Sequence, residues 1–157
     1  MVGLGCRIEG CGTFWRDLMS RVITRHLILC VDDEPPILAA LARSLRNDPY
    51  DILTTERPDR ALRWVETREI SLIISDQRMP GMQGTELLEE VSRYSPSTAR
   101  IILTAYPGAT VSCPGLRQRT DCIISKPWDP GMLRRTVRYL LLERELTSWD
   151  QEMAGSL

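Results

Sequence analysis

The feature that most constrains this chain is a set of short apolar runs, each stopping at a polar residue of a particular kind. Leu27 to Val31 stops at Asp32-Asp33, Ile70 to Ser75 at Asp76, Arg100 to Leu103 at Thr104, and Cys122 to Ser125 at Lys126-Pro127. Runs of four to six apolar residues without alternation suit strands covered on both faces, which parallel sheets require. Between the runs, apolar residues return at helical spacing. Ile37, Leu38, Leu41 and Leu45 share one face, as do Ala61, Leu62 and Val65, then Leu87, Leu88 and Val91, and finally Leu133, Val137, Leu140 and Leu141. Pro35 or Pro36 and Pro58 fall where a first helical turn tolerates a missing N–H, while Gly81 and Gly84 read as a loop. A shorter, more polar run, Ile52 to Thr55, reads as an edge strand.

Strand alternating with helix five times predicts an α/β, doubly wound three-layer sandwich. Residues 105–120 are the irregular part, because Pro107, Gly108, Pro114 and Gly115 interrupt any long helix, so an irregular fourth helix is expected there. In such a sheet ligands bind beyond the carboxyl ends of the strands. Asp32, Asp33, Asp76, Thr104 and Lys126 would meet at that edge. Paired acids suit a hard divalent cation such as Mg²⁺, and a hydroxyl with an ammonium suits phosphoryl oxygens.

Composition excludes other classes. The chain of 157 residues carries a formal net charge of −1 with its Lys and Arg dispersed, which gives no basic stripe for nucleic acid. No apolar stretch approaches the ~18 residues of a membrane span, and no signal peptide is recognisable, so a soluble cytoplasmic protein is expected. Five cysteines without a C-x-x-C pair, beside a single histidine, make no zinc site. Cys30 and Cys122 read as buried strand residues. Residues 1–25 form an N-terminal extension, partly helical or disordered, in which Phe14, Trp15, Leu18 and Val22 recur at helical spacing. That stretch reads as a helix docked on the domain or on a partner, or as a leader preceding a start at Met19.

The pieces L-I-L-C-V-D-D-E, I-I-S-D-Q-R-M-P-G-M-Q-G, I-I-L-T-A-Y and I-I-S-K-P-W-D, in this order and spacing, resemble the response-regulator receiver domain of two-component signalling. The resemblance covers residues 26–146, leaving 147–157 as a tail. It implies a flavodoxin-like, five-stranded parallel sheet in the order 2-1-3-4-5. It also implies that Asp76 accepts a phosphoryl group and that Asp33 binds Mg²⁺ directly. Asp32 would act on the metal mostly through water, and the carbonyl of Arg78 would complete the coordination. Thr104 and Lys126 would hold the phosphoryl oxygens.

The implied function is a phosphorylation-dependent switch, a regulatory phosphoacceptor domain rather than an enzyme, catalysing only its own phosphorylation and dephosphorylation. A histidine kinase, a phosphotransfer protein or a small phosphodonor would supply the group. A downstream output domain or protein, with a homodimer as a further arrangement, would read it. The Lys126-Pro127 bond is expected to be cis, with Trp128 beside it. Ile123 stands where the family commonly carries Tyr or Phe, three residues before the Lys, and Tyr106 stands near the mouth of the site. Two other readings stay open. One is a degenerate receiver that docks partners without phosphorylation; the other is a phosphatase of the haloacid-dehalogenase type, which wants a D-x-D pair after the first strand where this chain has D-D-E.

Overall fold

The computed structural model of the chain describes residues 26–108 and 119–154. The elements run β1 (His26–Val31), α1 (Pro35–Leu45), β2 (Tyr50–Thr55), α2 (Pro58–Thr67), β3 (Leu72–Asp76), α3 (Gly84–Tyr94), β4 (Ala99–Thr104), β5 (Cys122–Ser125) and a last helix, α4 (Pro130–Ala154). All five strands are parallel, in the order β2-β1-β3-β4-β5. The flavodoxin-like α/β fold and its strand order are as expected. The Phe14 to Val22 stretch and the Pro114-Gly115 break lie outside the described residues, so the irregular fourth helix is not described.

Alternation along the strands sorts the core into two layers. Ile28 and Cys30 point with Leu72, Ile74, Ile101 and Leu103 toward Leu38, Leu41 and Leu45 of α1 and Leu133, Val137, Leu140 and Leu141 of α4. Leu29, Val31, Ile73 and Ile102 point the other way, onto Ala61 and Val65 of α2 and Leu87, Leu88 and Val91 of α3. Continuous apolar runs are thus what a sheet clad on both sides demands. β2, at the edge, is only partly buried. Pro begins both α1 and α2, where its absent N–H leaves no backbone bond unmade.

Several boundaries differ from the sequence expectation. β2 begins at Tyr50, because Tyr50 and Asp51 pair in register with His26 and Leu27. Ile70 is buried ahead of β3, and β4 reaches Thr104. Gly84 is the first residue of α3, not part of a loop. A Cβ there would stand 2.1 Å from the Asp76 carbonyl oxygen, so hydrogen is the only side chain that lets α3 start against the end of β3. Met79, in the loop after β3, is buried in the α2–α3 layer. Cys122 is only half-buried, whereas Cys30 is fully enclosed, and burial pushes the Cys30 thiol up to about 12. Of the tail expected at 147–157, residues 147–154 are helical and continue α4. No helix of the described residues is long and apolar enough to cross a membrane.

Candidate functional site

Strand register assembles the site. Val31 pairs with Ser75, so Asp32 and Asp76, one residue further on, stand side by side at the ends of β1 and β3. Asp76 pairs with Leu103, and Thr104 pairs with Ser125, which puts Thr104 and Lys126 on the same rim. Oxygen atoms of Asp32, Asp33 and Asp76 all lie within 4.8 Å of one another. Four segments separated by up to 94 residues thus converge on one pocket.

The Lys126 ammonium sits between two of these acids, with Nζ 2.7 Å from Asp32 Oδ2 and 2.7 Å from Asp76 Oδ1. Turns aim the other carboxylate oxygens. The backbone N–H of Glu34 donates to Asp32 Oδ1 at 2.9 Å, and that of Arg78 donates to Asp76 Oδ2 at 2.8 Å. Asp33, half-buried, makes no such bond among the described residues, so its oxygens remain available to a cation. Burial raises the Asp32 carboxyl above the ordinary range, against the pull of the Lys126 and Glu34 hydrogen bonds. Burial alone would lower Lys126, but its bonds to Asp32 and Asp76 reverse this and raise it, so the ammonium is charged at neutral pH. Three clustered acids against one cation leave uncompensated negative charge. An all-oxygen set of this kind fits a small divalent cation such as Mg²⁺.

Thr104 is buried at the rim, and its Oγ1 accepts the backbone N–H of Tyr106 at 3.0 Å. The Arg78 guanidinium lies 4.4 Å from the Tyr106 ring centroid, a cation–π contact that joins the loops after β3 and β4. Lys126-Pro127 is cis, and Trp128 Nε1 donates to Ser44 Oγ at 3.3 Å. Ile123, in the place of the family's aromatic, is half-buried in β5.

Sequence reasoning missed Gln77. Its side-chain oxygen accepts the Thr85 N–H at 3.1 Å and its amide nitrogen donates to Gln83 Oε1 at 3.1 Å. Its backbone carbonyl accepts the Gly84 N–H at 2.9 Å. One residue therefore closes the whole loop between β3 and α3. The only signal for it was an amide between Asp76 and a Pro-Gly turn, which is weak.

Comparison with known proteins agrees with this architecture. The family model "Response regulator receiver domain" matches residues 28–138. The hydrogenase transcriptional regulatory protein HoxA of Cupriavidus necator is 37% identical over 134 residues, 82% of this chain and 28% of HoxA. The transcriptional regulatory protein GlrR of Escherichia coli (strain K12) is 32% identical over 112 residues, 71% of this chain and 25% of GlrR. The chain thus spans about a quarter of the length of these curated relatives.

Among solved structures, a CheY-like response regulator receiver domain protein from Methanospirillum hungatei JF-1 superposes with a TM-score of 0.74 at 29% identity, covering 79% of this chain and 99% of that one. The response regulator TrrA of Thermotoga maritima, in complex with Mg²⁺-BeF, gives 0.67 at 30% identity, covering 73% and 98%. With the match spanning most of its length and every strand in the family's order, this chain belongs to the response regulator receiver domain family.

Proposed function

We propose that Asp76 is the phosphoacceptor of a Mg²⁺-dependent signalling switch, charged by a partner histidine kinase, a phosphotransfer protein or a small phosphodonor. The observation that carries this reading is the convergence of three carboxylates within 4.8 Å of one another, only two of them engaged by Lys126. Asp32, Asp33, Asp76 and the Arg78 carbonyl would hold Mg²⁺, which supplies neutralising charge for the incoming anion. An Asp76 carboxylate oxygen attacks phosphorus, the bond to the donor's nitrogen or oxygen breaks, and that electron pair leaves with the donor. Apart from the nucleophile Asp76, no group of the chain is asked for more than position and charge.

Lys126 is the group best placed to follow the outcome. Phosphorylation of Asp76 would remove the carboxylate charge that Lys126 now meets at Oδ1, so the ammonium would turn to the phosphoryl oxygens. Thr104 supplies a hydroxyl on the same rim, whose O–H can donate to a phosphoryl oxygen while its oxygen accepts the Tyr106 N–H, tying that loop to the phosphoryl group. Charge-assisted bonds of this kind are worth a few kcal/mol, enough to shift an equilibrium between two loop arrangements. A downstream output domain or protein would read the change.

The test is intact mass after incubation with acetyl phosphate. A gain of one phosphoryl group in Mg²⁺, its loss on chelation and its loss in Asp76→Asn are expected. Equal labelling of the parent and Asp76→Asn would overturn the assignment.

A further inference from the structure

The described part of α4 is 25 residues long, about 37 Å at 1.5 Å per residue, whereas strands of four to six residues span at most ~20 Å. Its inward stripe ends at Leu141. A second stripe faces away from the core: Tyr139, Leu142 and Leu146 are 59%, 58% and 65% exposed, and Trp149, half-buried, continues the 3-4-3 spacing. Such spacing makes a seam for another helix. Its margins are acidic. Glu143 and Asp150 border one side and Glu145 the other, while the neighbouring Arg138 and Arg144 are turned to Asp48 and Asp121 on the body of the domain.

Two copies of this seam would repel each other, since a parallel pair brings Glu145 of one helix against Asp150 of the next. A basic apolar helix fits instead, and the chain itself carries one. Phe14, Trp15, Leu18, Met19, Val22 and Ile23 fall on one half of a helical wheel, bordered by Arg16 and Arg21, with Arg25 just inside one edge and Asp17 the single acid. That stretch joins the fold beside the seam, because it leads directly into His26, whose Nε2 lies 3.1 Å from Glu145 Oε1. Length agrees as well. Residues 14–25 would extend about 16 Å as a helix, and 145–154 extend about 14 Å.

We propose that residues 14–25 form a basic amphipathic helix packed antiparallel on the Leu142–Leu146–Trp149 seam of α4 in the same chain. The contact caps the seam and withholds it from other helices.

Hydrogen exchange read by mass spectrometry on the 157-residue chain, with light scattering across a hundredfold concentration range, tests this. Expected are a monomer and protection of 14–25 at least tenfold over free-peptide rates, independent of concentration. Leu146→Glu, an exposed site whose change spares the core, should abolish protection of 14–25, and Leu18→Glu should speed exchange at 142–150. Free-peptide exchange of 14–25 in the parent would overturn the proposal, as would protection indifferent to both variants. Protection that rises in step with a dimer would assign the seam to a second copy and overturn it equally.

Discussion

At the amino end of the sheet, Asp121, Thr120 and Arg144 stand around β4 and β5 much as Asp76, Thr104 and Lys126 stand at the carboxyl end. The residue types are nearly the same, but their partners differ. Asp121 Oδ2 accepts the Arg100 backbone N–H at 2.7 Å and both its oxygens accept from Arg144. Thr120 Oγ1 lies 3.0 Å from the Arg100 carbonyl oxygen, and Thr98 Oγ1 donates to the Ile70 carbonyl at 2.8 Å. Those groups are taken up by backbone atoms and by Arg144, so they stitch strand ends together. At the opposite end the three acids face one another and share one ammonium. The two ends differ in sign: one acid, Asp121, faces two guanidiniums, Arg144 at 2.8 Å and Arg100 at 3.8 Å, where three acids face one ammonium.

The contrast can be broken in order of expected effect. Lys126→Ala leaves two buried carboxylates uncompensated and should cost about 3 kcal/mol in urea melts without Mg²⁺, a loss that Mg²⁺ partly restores. Because the Lys126 pKa is raised, its contribution is whole below the ordinary lysine value and fades only as pH climbs through the raised one. An equal loss with and without Mg²⁺ would mean that the ammonium and a cation do not share the site. Next comes Gly84→Ala, whose Cβ must push α3 off the Asp76 carbonyl, for about 2 kcal/mol and a severalfold slower labelling of Asp76. Full-rate labelling would uncouple α3 from the acceptor.

Asp121→Asn is the control at the other end. About 1 kcal/mol of stability should go, with the yield of phosphorylated Asp76 unchanged. A fall in yield would show the two ends to be energetically linked. The smallest effect is expected from Tyr106→Ala, which removes the ring under Arg78 at the mouth of the site. Stability should move by less than about 0.5 kcal/mol while the acyl phosphate hydrolyses a few times faster, as followed by mass.

Much of this site was legible because the strand ends carry it. An acid, a hydroxyl or a lysine closing an apolar run needs no knowledge of distant contacts, and parallel order then places Asp32, Asp76, Thr104 and Lys126 on one rim. Gly84 was misread because a glycine looks the same in a turn and at a close approach, and only the Asp76 carbonyl distinguishes the two. The burial of Met79 was not legible, because a loop residue carries no period to reveal that it folds under α2 and α3. The bond from Arg138 to Asp48, 90 residues apart, has no local signature at all. Nor does the length of α4, since its outward seam follows a different phase from the inward stripe that announced the helix.

The closed loop after β3 carries a consequence for how such a protein can diversify. Gln77 spends both a donor and an acceptor on Gln83 and Thr85, so the curve of the loop is written by one amide and does not depend on its neighbour Arg78. The Arg78 side chain takes no part in those bonds and reaches instead to the Tyr106 ring, so exchanging it would change the doorway between the loops after β3 and β4 and leave the Gln77 bonds in place. If Asp76 is the acceptor, one side chain at the doorway would set how long the phosphoryl group stays, with the loop behind it unaltered.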